Sequence, residues 1–143
     1  MKNTIMETTI NEYYVSLEVA KLLKEAGFDM EGMSYYQNGI FYHYSINRGR
    51  IIIINQNSAP NYMEQYSAPT LEVAQKWLRV VKGIHLYVRP ILDEHKYVVT
   101  VVVDDLTWGQ VNDNNGISKR FNTYEEAQEA GIKKALEIIL HKE

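Results

Sequence analysis

Cysteine is absent from the 143 residues of this chain. Its absence excludes disulfide bonds, a thiolate nucleophile and any cysteine-ligated zinc or iron–sulfur site, and it suits a reducing compartment such as the cytosol. Long apolar runs are absent too, because the longest, residues 51–54 and 98–103, fall far short of the roughly 20 residues that span a bilayer. Residues 1–10 lack the apolar run of a secretory signal. We therefore expect a cytoplasmic protein that makes no membrane contact.

An excess of charge of one sign is also missing, since 15 Lys and Arg face 18 Asp and Glu for a formal net charge of −3. This balance argues against a surface devoted wholly to nucleic acid or anionic lipid, although it leaves room for a local basic patch. Hydrophobic residues make up 45% of the chain and charged residues 23%, which is typical of folded domains. A chain of 143 residues fits one domain and buries a sizeable core.

Two amphipathic segments predict the first two helices. Ser16 precedes an apolar stripe that runs to residue 26, and Gly27 is suited to the left-handed conformation that ends a helix. Pro69 fits the first turn of a second helix, which Gly83 ends. Trp77 lies on the apolar side of that second helix, so we expect its ring to be the main contact between the helix and the core.

The third helix is predicted at residues 123–140. Thr123 and Glu126 form a capping box, in which each side chain accepts a hydrogen bond from the other residue's backbone amide. Small residues recur every four positions behind the cap, and their row would let the helix approach a sheet closely: Ala127, Gly131 and Ala135.

Strand patterns occur in two groups. The first contains Asn38-Gly39, a pair that supplies the positive φ values of a two-residue hairpin, and it covers residues 34–36, 40–46 and 51–54. The second covers residues 84–89, 96–103 and 117–121, with 107–111 extending the pairing.

These elements predict an α+β fold, in which an antiparallel sheet carries helices mainly on one face and the C-terminal part has the order α-β-β-β-α. We expect a single domain over residues 1–143. Within it, residues 12–56 form a helix plus β-hairpins, residues 57–68 form a connecting loop, and residues 69–140 form the α-β-β-β-α unit. The sequence leaves open whether the hairpins and the C-terminal unit share one sheet.

Residues suited to catalysis or metal binding do not converge in the sequence. The four histidines lack the spacing of a zinc site, and no nucleophile turn or Gly-rich phosphate loop is present. The Asn-rich run at 112–116 lacks the first and last ligands of a calcium loop. Asp104 and Asp105 point to opposite faces of an extended chain and cannot share a metal ion. We predict no catalytic residue, no metal site and no cofactor.

Basic and aromatic residues offer a candidate binding site. Arg48 and Arg50 flank a turn beside Tyr42 and Tyr44, and arginine with tyrosine on one surface can neutralise phosphate and stack on the bases of single-stranded nucleic acid. The alternative is a solvated hairpin tip next to core tyrosines. The chain has eleven tyrosines in all, which favours an exposed aromatic patch at a protein interface.

Several segments together carry a resemblance: residues 15–28, Tyr66-Ser67-Ala68-Pro69-Thr70, Trp77-Leu78-Arg79, Gly83-Ile84-His85 and Thr123-Tyr124-Glu125-Glu126-Ala127. They are similar to a family of small uncharacterised proteins from phages and prophages of gut bacteria. The resemblance implies a phage or mobile-element origin in a bacterial host, and it implies no particular activity. The α-β-β-β-α order is also similar to that of a double-stranded RNA binding domain. However, Glu125, Glu126 and Glu129 stand where such a domain presents lysines to RNA, and they would repel phosphate.

We interpret the chain as a non-enzymatic accessory protein that acts through a protein partner or through self-association. The alternative hypothesis is a nucleic-acid-binding module that uses Tyr42, Tyr44, Arg48 and Arg50. A small hydrolase or nuclease is the third hypothesis, which the lack of nucleophile and base spacing disfavours.

Replacing Trp77 tests the predicted second helix. If the ring lies in the core, Trp77→Ala should lower the free energy of unfolding by about 3–5 kcal/mol in denaturant titration. A loss below about 0.5 kcal/mol, which is typical of surface positions, would instead place this side of the helix in solvent.

Overall fold

The computed structural model describes residues 13–43, 45–47, 50–52, 55–60, 63–104 and 107–142. Within these residues the chain forms three α-helices: α1 (Leu17–Glu25), α2 (Leu71–Lys82) and α3 (Tyr124–Ile139). Eight strands accompany them: β1 (Tyr35–Gln37), β2 (Ile40–Tyr42), β3 (Ser45–Asn47), β4 (Arg50–Ile52), β5 (Gln65–Ser67), β6 (His85–Ile91), β7 (Lys96–Val102) and β8 (Trp108–Gln110). This composition confirms the α+β class and the α-β-β-β-α order of the C-terminal part. No helix in the described ranges is long and apolar enough to cross a membrane.

The first helix has satisfied backbone groups at both ends. Ser16 Oγ accepts the amide of Val19 at 3.3 Å, as an N-cap does. At the other end Gly27 has a φ of +94°, and the Phe28 amide donates to the Leu23 carbonyl at 2.9 Å. Phe28 is buried, so the chain folds back on the last helical turn as the sequence predicts.

The second helix begins two residues later than predicted, at Leu71. Thr70 is the N-cap, and its Oγ1 accepts the amide of Val73 at 3.2 Å. Pro69 therefore precedes the cap and does not lie in the first helical turn. The end of the helix agrees with the prediction, because Gly83 has a φ of +70°. Trp77 is 4% exposed, and its ring lies edge-on to the Phe28 ring at 5.4 Å.

The third helix has a modified capping box. Thr123 Oγ1 accepts the amide of Glu126 at 3.1 Å, as predicted. The return bond differs, because Glu126 Oε2 accepts the amide of Asn122 at 3.1 Å in place of the Thr123 amide. The first bond satisfies an amide that a helix start leaves without an internal partner, and the second connects the residue before the cap to the first helical turn.

The first sheet is antiparallel, in the strand order β2-β1-β5. Asn38 and Gly39 join β1 to β2 with φ values of 52° and 82°, which confirms the predicted hairpin. The predicted strand at 40–46 is divided into β2 and β3. After the end of β2 the His43 carbonyl accepts the Ser34 hydroxyl at 2.9 Å. β3 pairs with β4 in a separate two-stranded ribbon.

The connecting loop predicted at 57–68 is wrong in its second half. After a 3₁₀ turn at Gln56–Ser58, residues 65–67 form β5, which pairs with β1 in antiparallel register. The Asn57 side chain supports this arrangement, since its Oδ1 accepts the Ser67 amide at 2.8 Å. A strand of three residues is too short to show an alternating pattern in the sequence.

The second sheet has the order β6-β7-β8, and its third strand lies in the 107–111 segment, which was predicted only to extend the pairing. β8 occupies residues 108–110, whereas the predicted 117–121 segment contributes two isolated bridges, Phe121 with Tyr97 and Ser118 with Asn112. Between them the Asp113 carboxylate accepts two loop amides, at 2.8 and 3.1 Å, and so fixes a turn. This turn returns the chain to β7 after β8 has already paired with it. The two sheets remain separate within the described residues.

The helix α3 contacts both halves of the chain, because it packs against α1, α2, β6 and β7. Its predicted row of small residues is buried: Ala127, Gly131 and Ala135. A Cβ atom at Gly131 would lie 2.6 Å from Val99 Cγ2, so this position needs glycine for lack of space. The row thus lets the helix backbone lie directly on β7.

Polar contacts also join α3 to α1. Glu129 Oε1 accepts the amide of Ser16 at 2.6 Å, at the start of α1, where a helix dipole favours negative charge. Lys133 pairs with Glu18 at 2.9 Å. The ion pair lies at the surface, so we assign it at most about 1 kcal/mol; the buried helix faces supply most of the attachment.

Adding one methyl group to α3 tests the close approach at Gly131. Alanine favours helix by about 1 kcal/mol over glycine, but overpacking a core costs about 1–3 kcal/mol. We expect Gly131→Ala to lower the unfolding free energy by about 1–2 kcal/mol, since Val99 is fully buried and stiff. Chemical denaturation measures the change, with Ala130→Gly as the control for propensity in the same helix. A stabilised Gly131→Ala variant would contradict the packing.

Candidate functional site

The first sheet presents different chemistry on its two faces, because successive residues of a strand point to opposite sides. Tyr36, Phe41 and Tyr66 form the inner face and pack against the core. The strand registers place the remaining side chains of the ladder outward. We call five of these outward residues the aromatic face: Tyr35, Gln37, Ile40, Tyr42 and Gln65.

The aromatic face is ordered by contacts between its own side chains. Tyr35 lies opposite Tyr42 in the strand register, and their rings stack with centroids 5.2 Å apart and planes 17° apart. Gln65 Nε2 donates to Gln37 Oε1 at 3.2 Å. Ile40 is 58% exposed and Tyr42 is 42% exposed. None of the five side chains is charged, a composition typical of the centre of a protein–protein interface.

An apolar pocket of about 190 Å³ adjoins the aromatic face. Ser34 and Ser67 line the pocket, and both are neighbours of Tyr35 in the aromatic face. Ser34 precedes Tyr35 in the chain, and Ser67 is paired with Tyr35 across the two strands. The pocket walls are mainly apolar, and they include Phe28, Met30, Met33, Ala68 and Val73. An apolar cavity of about 150 Å³ holds a benzene molecule. This pocket therefore has room for one aromatic or aliphatic side chain.

The structure places one of the four predicted site residues on this surface. Tyr42 belongs to the aromatic face, and Arg50 begins β4 with Asn47 opposite it in the backbone register. Tyr44 and Arg48 lie outside the described residues. The combination of these tyrosines and arginines in one binding site stays a prediction.

Sequence reasoning missed Ile40 as a member of a surface patch. A signal for it was present, because the two-residue Asn38-Gly39 hairpin fixes the strand register, and residues 40 and 42 then point to the same side of β2. The pocket had no comparable signal. Its walls come from segments far apart in the chain, such as Met30 and Val73.

His43 has a structural contact beside the same sheet. Its Nδ1 lies 3.0 Å from Ser34 Oγ, and that hydroxyl donates its single hydrogen to the His43 carbonyl at 2.9 Å. The ring nitrogen must then be the donor to the hydroxyl oxygen. The pair holds the end of β2 against the segment that enters β1.

Other histidines and aspartates that could have been catalytic or metal-binding residues lie in turns. His95 has a φ of +54° and ends a 3₁₀ turn, and His141 has a φ of +56° after α3. Asp104 Oδ1 accepts the Thr107 amide at 2.7 Å, while Asp105 lies outside the described residues. Across the described part of the chain, no three His, Asp or Glu side chains come together as a set of metal ligands.

Tyr36 fixes the inner face of the sheet to the start of α1. Its hydroxyl donates to the Val15 carbonyl at 2.8 Å. Burial raises the pKa of Tyr36 above its ordinary value, and the nearby Glu129 carboxylate raises this pKa further. A charged phenolate is therefore disfavoured in the folded state.

This shift predicts a loss of stability in alkali. The pKa of Tyr36 is higher in the folded chain than its unfolded value of about 10. The Tyr36 side chain therefore makes its full contribution to the free energy of unfolding below about pH 10, and this contribution is lost as the pH rises through the folded pKa. The stability advantage of the native protein over Tyr36→Phe should shrink above about pH 10. Urea denaturation at a series of pH values measures it. An advantage that grows with pH would contradict the assignment.

Comparison with known proteins identifies no relative. The chain matches no protein-family model, no curated protein and no solved structure. The resemblances to a phage protein family and to the order of a double-stranded RNA binding domain therefore stay predictions from the sequence.

Proposed function

We propose that this chain is a non-enzymatic accessory protein of a phage or other mobile element, and that it acts by binding a protein through the aromatic face. The observation that carries the binding proposal is the stacked Tyr35–Tyr42 pair beside the exposed Ile40. Support for a phage origin comes from the sequence resemblance. The partner is another protein or a second copy of this chain.

The side chains of the aromatic face are suited to binding another protein surface. Tyrosine gives a large contact area with few rotatable bonds, so little conformational entropy is lost on binding. Here the stacking of Tyr35 on Tyr42 already restricts both rings before a partner arrives. Gln37 and Gln65 offer amide groups for hydrogen bonds at the edge of the apolar contact. Burying this face removes no charged group from water, which avoids a large desolvation cost.

The adjoining pocket supplies an anchor point. Interfaces commonly depend on a few side chains that fill pockets on the other protein. Met30 and Met33 line this pocket and are partly exposed, and methionine adapts its shape to different apolar groups. The fitting partner segment presents one apolar side chain to the pocket and a flat apolar surface to the tyrosines.

Photo-crosslinking tests this proposal directly. With p-benzoylphenylalanine at position 42, irradiated bacterial cells that also contain the native partner should yield a discrete adduct, either with a second copy or with another protein. The same probe at Val80, which is 68% exposed on α2, is the matched control. We expect Ile40→Lys to reduce the adduct at position 42 by about tenfold or more, as removal of a central interface contact does.

Two measurements decide how the crosslinking result is interpreted: the stability of the Ile40→Lys variant and the difference in adduct yield between positions 42 and 80. Ile40→Lys changes an exposed side chain, so its unfolding free energy should stay within about 0.5 kcal/mol of the native value. Adduct yields that are equal at positions 42 and 80, or that are unchanged by Ile40→Lys, would rule out the aromatic face as the binding surface.

A further inference from the structure

The second sheet also has an outer face, on the side opposite α3. Along β6, Leu86 and Val88 point toward the helix side, and Leu86 lies close to Gly131 of α3. His85, Tyr87 and Arg89 alternate with them and are exposed. Tyr87 is 60% exposed, a large fraction for an aromatic ring on a regular strand.

The neighbouring strands complete this surface without negative charge. Residues opposite each other in antiparallel strands share a face, and the register pairs His85, Tyr87 and Arg89 with Val102, Thr100 and Val98 of β7. Thr100 and Val102 are partly exposed, whereas Val98, opposite Arg89, is buried. Gln110 of β8 pairs with Thr100. No carboxylate occupies any of these seven positions, although the whole chain has more acidic than basic residues. The only formal charge among them is the guanidinium of Arg89.

Arg89 keeps its donors available. Several other cations are held by carboxylates, as in the pairs Arg120–Glu94, Lys133–Glu18 and Lys142–Glu25. Within the part of the chain that the structure describes, Arg89 has no ion pair of this kind. A phosphate group could therefore bind it without displacing a protein carboxylate.

From these contacts we propose that the outer face of the second sheet binds single-stranded nucleic acid. A base stacks on the exposed Tyr87 ring, and a backbone phosphate binds Arg89. A strand advances about 3.3 Å per residue, which separates these two side chains by roughly 7 Å along β6. Thr100 supplies a hydroxyl group beside them, and Gln110 supplies the NH2 of an amide whose Oε1 accepts the Ser118 hydroxyl. The aromatic and cationic groups of a single-strand binding surface are thus adjacent on one strand.

The geometry favours a single strand over a duplex. Stacking on Tyr87 requires an unpaired base whose flat surface is free, and a duplex hides its bases in a stack. Duplex binding in the manner of a double-stranded RNA binding domain would use the start of α3. That helix start carries Glu125 and Glu126 in its first turn, where they repel phosphate.

Fluorescence anisotropy with labelled 20-mers of uridine RNA, thymidine DNA and mixed-sequence duplex DNA tests the proposal. We expect binding of one or both single strands that weakens as salt is raised, with weaker binding of the duplex. Tyr87→Ala should weaken single-strand binding by about fivefold or more, because stacking of one base is lost. Arg89→Ala should reduce the slope of log affinity against log salt by about 0.7, as expected for one phosphate contact.

Matched controls test whether the effects belong to this surface. Tyr13→Ala removes a tyrosine that is 51% exposed and belongs to neither outer face, and Arg79→Ala removes an exposed arginine of α2; both should bind the oligonucleotides like the native protein. The proposal is overturned if no single strand binds, if the duplex binds more tightly, or if Tyr87→Ala and Arg89→Ala bind no differently from their controls. None of these results bears on photo-crosslinking at position 42, so the two proposals fail independently.

Discussion

Gly131 brings the backbone of α3 against Val99 of β7, so closely that a methyl group in place of its hydrogen would lie 2.6 Å from a valine methyl. Ala127 and Ala135, one turn to either side, are buried as well. With the helix so near the second sheet, its remaining faces reach α1 and α2. The buried side chains of both halves then form one hydrophobic cluster, which includes Leu23, Leu78 and Leu136.

This arrangement determines which surfaces remain available for binding. The helices cover the inner face of each sheet, and the outer faces are left with two different chemistries. The first sheet exposes stacked tyrosines and an isoleucine without charge, which suits a protein partner. The second exposes Tyr87 beside Arg89, which suits an anionic, base-bearing chain. Because each outer face belongs to a strand ladder backed by core residues, its side chains are held in fixed register before a ligand binds.

Local signals in the sequence were sufficient to predict the three helices and one hairpin. Ser16, Gly27 and Gly83 mark helix ends through backbone chemistry that involves a few neighbouring residues, and the structure contains all three. The row of small residues in α3 likewise predicted a close helix–sheet contact. These features could be predicted because each depends on spacing within one element.

Features that depend on distant pairing were predicted poorly. β5 carries only three residues and is stabilised by β1 and by Asn57, none of which is evident from residues 65–67 themselves. The third strand of the second sheet was predicted at 117–121, with 107–111 only extending the pairing, yet the pairing with β7 is made by 108–110. The aromatic face was partly predictable from the hairpin register. The pocket beside it was not, since its walls meet only after folding.

Native-state hydrogen exchange tests most directly the central claim that α3 joins both halves of the chain into one cooperative unit. The account predicts that amides of Val19 and Leu23 in α1, Val101 in β7 and Leu136 in α3 exchange with one common opening free energy, equal to that of global unfolding. If the α1 amides opened at a free energy lower by about 2 kcal/mol or more than those of α3, the halves would unfold separately and the claim would be wrong.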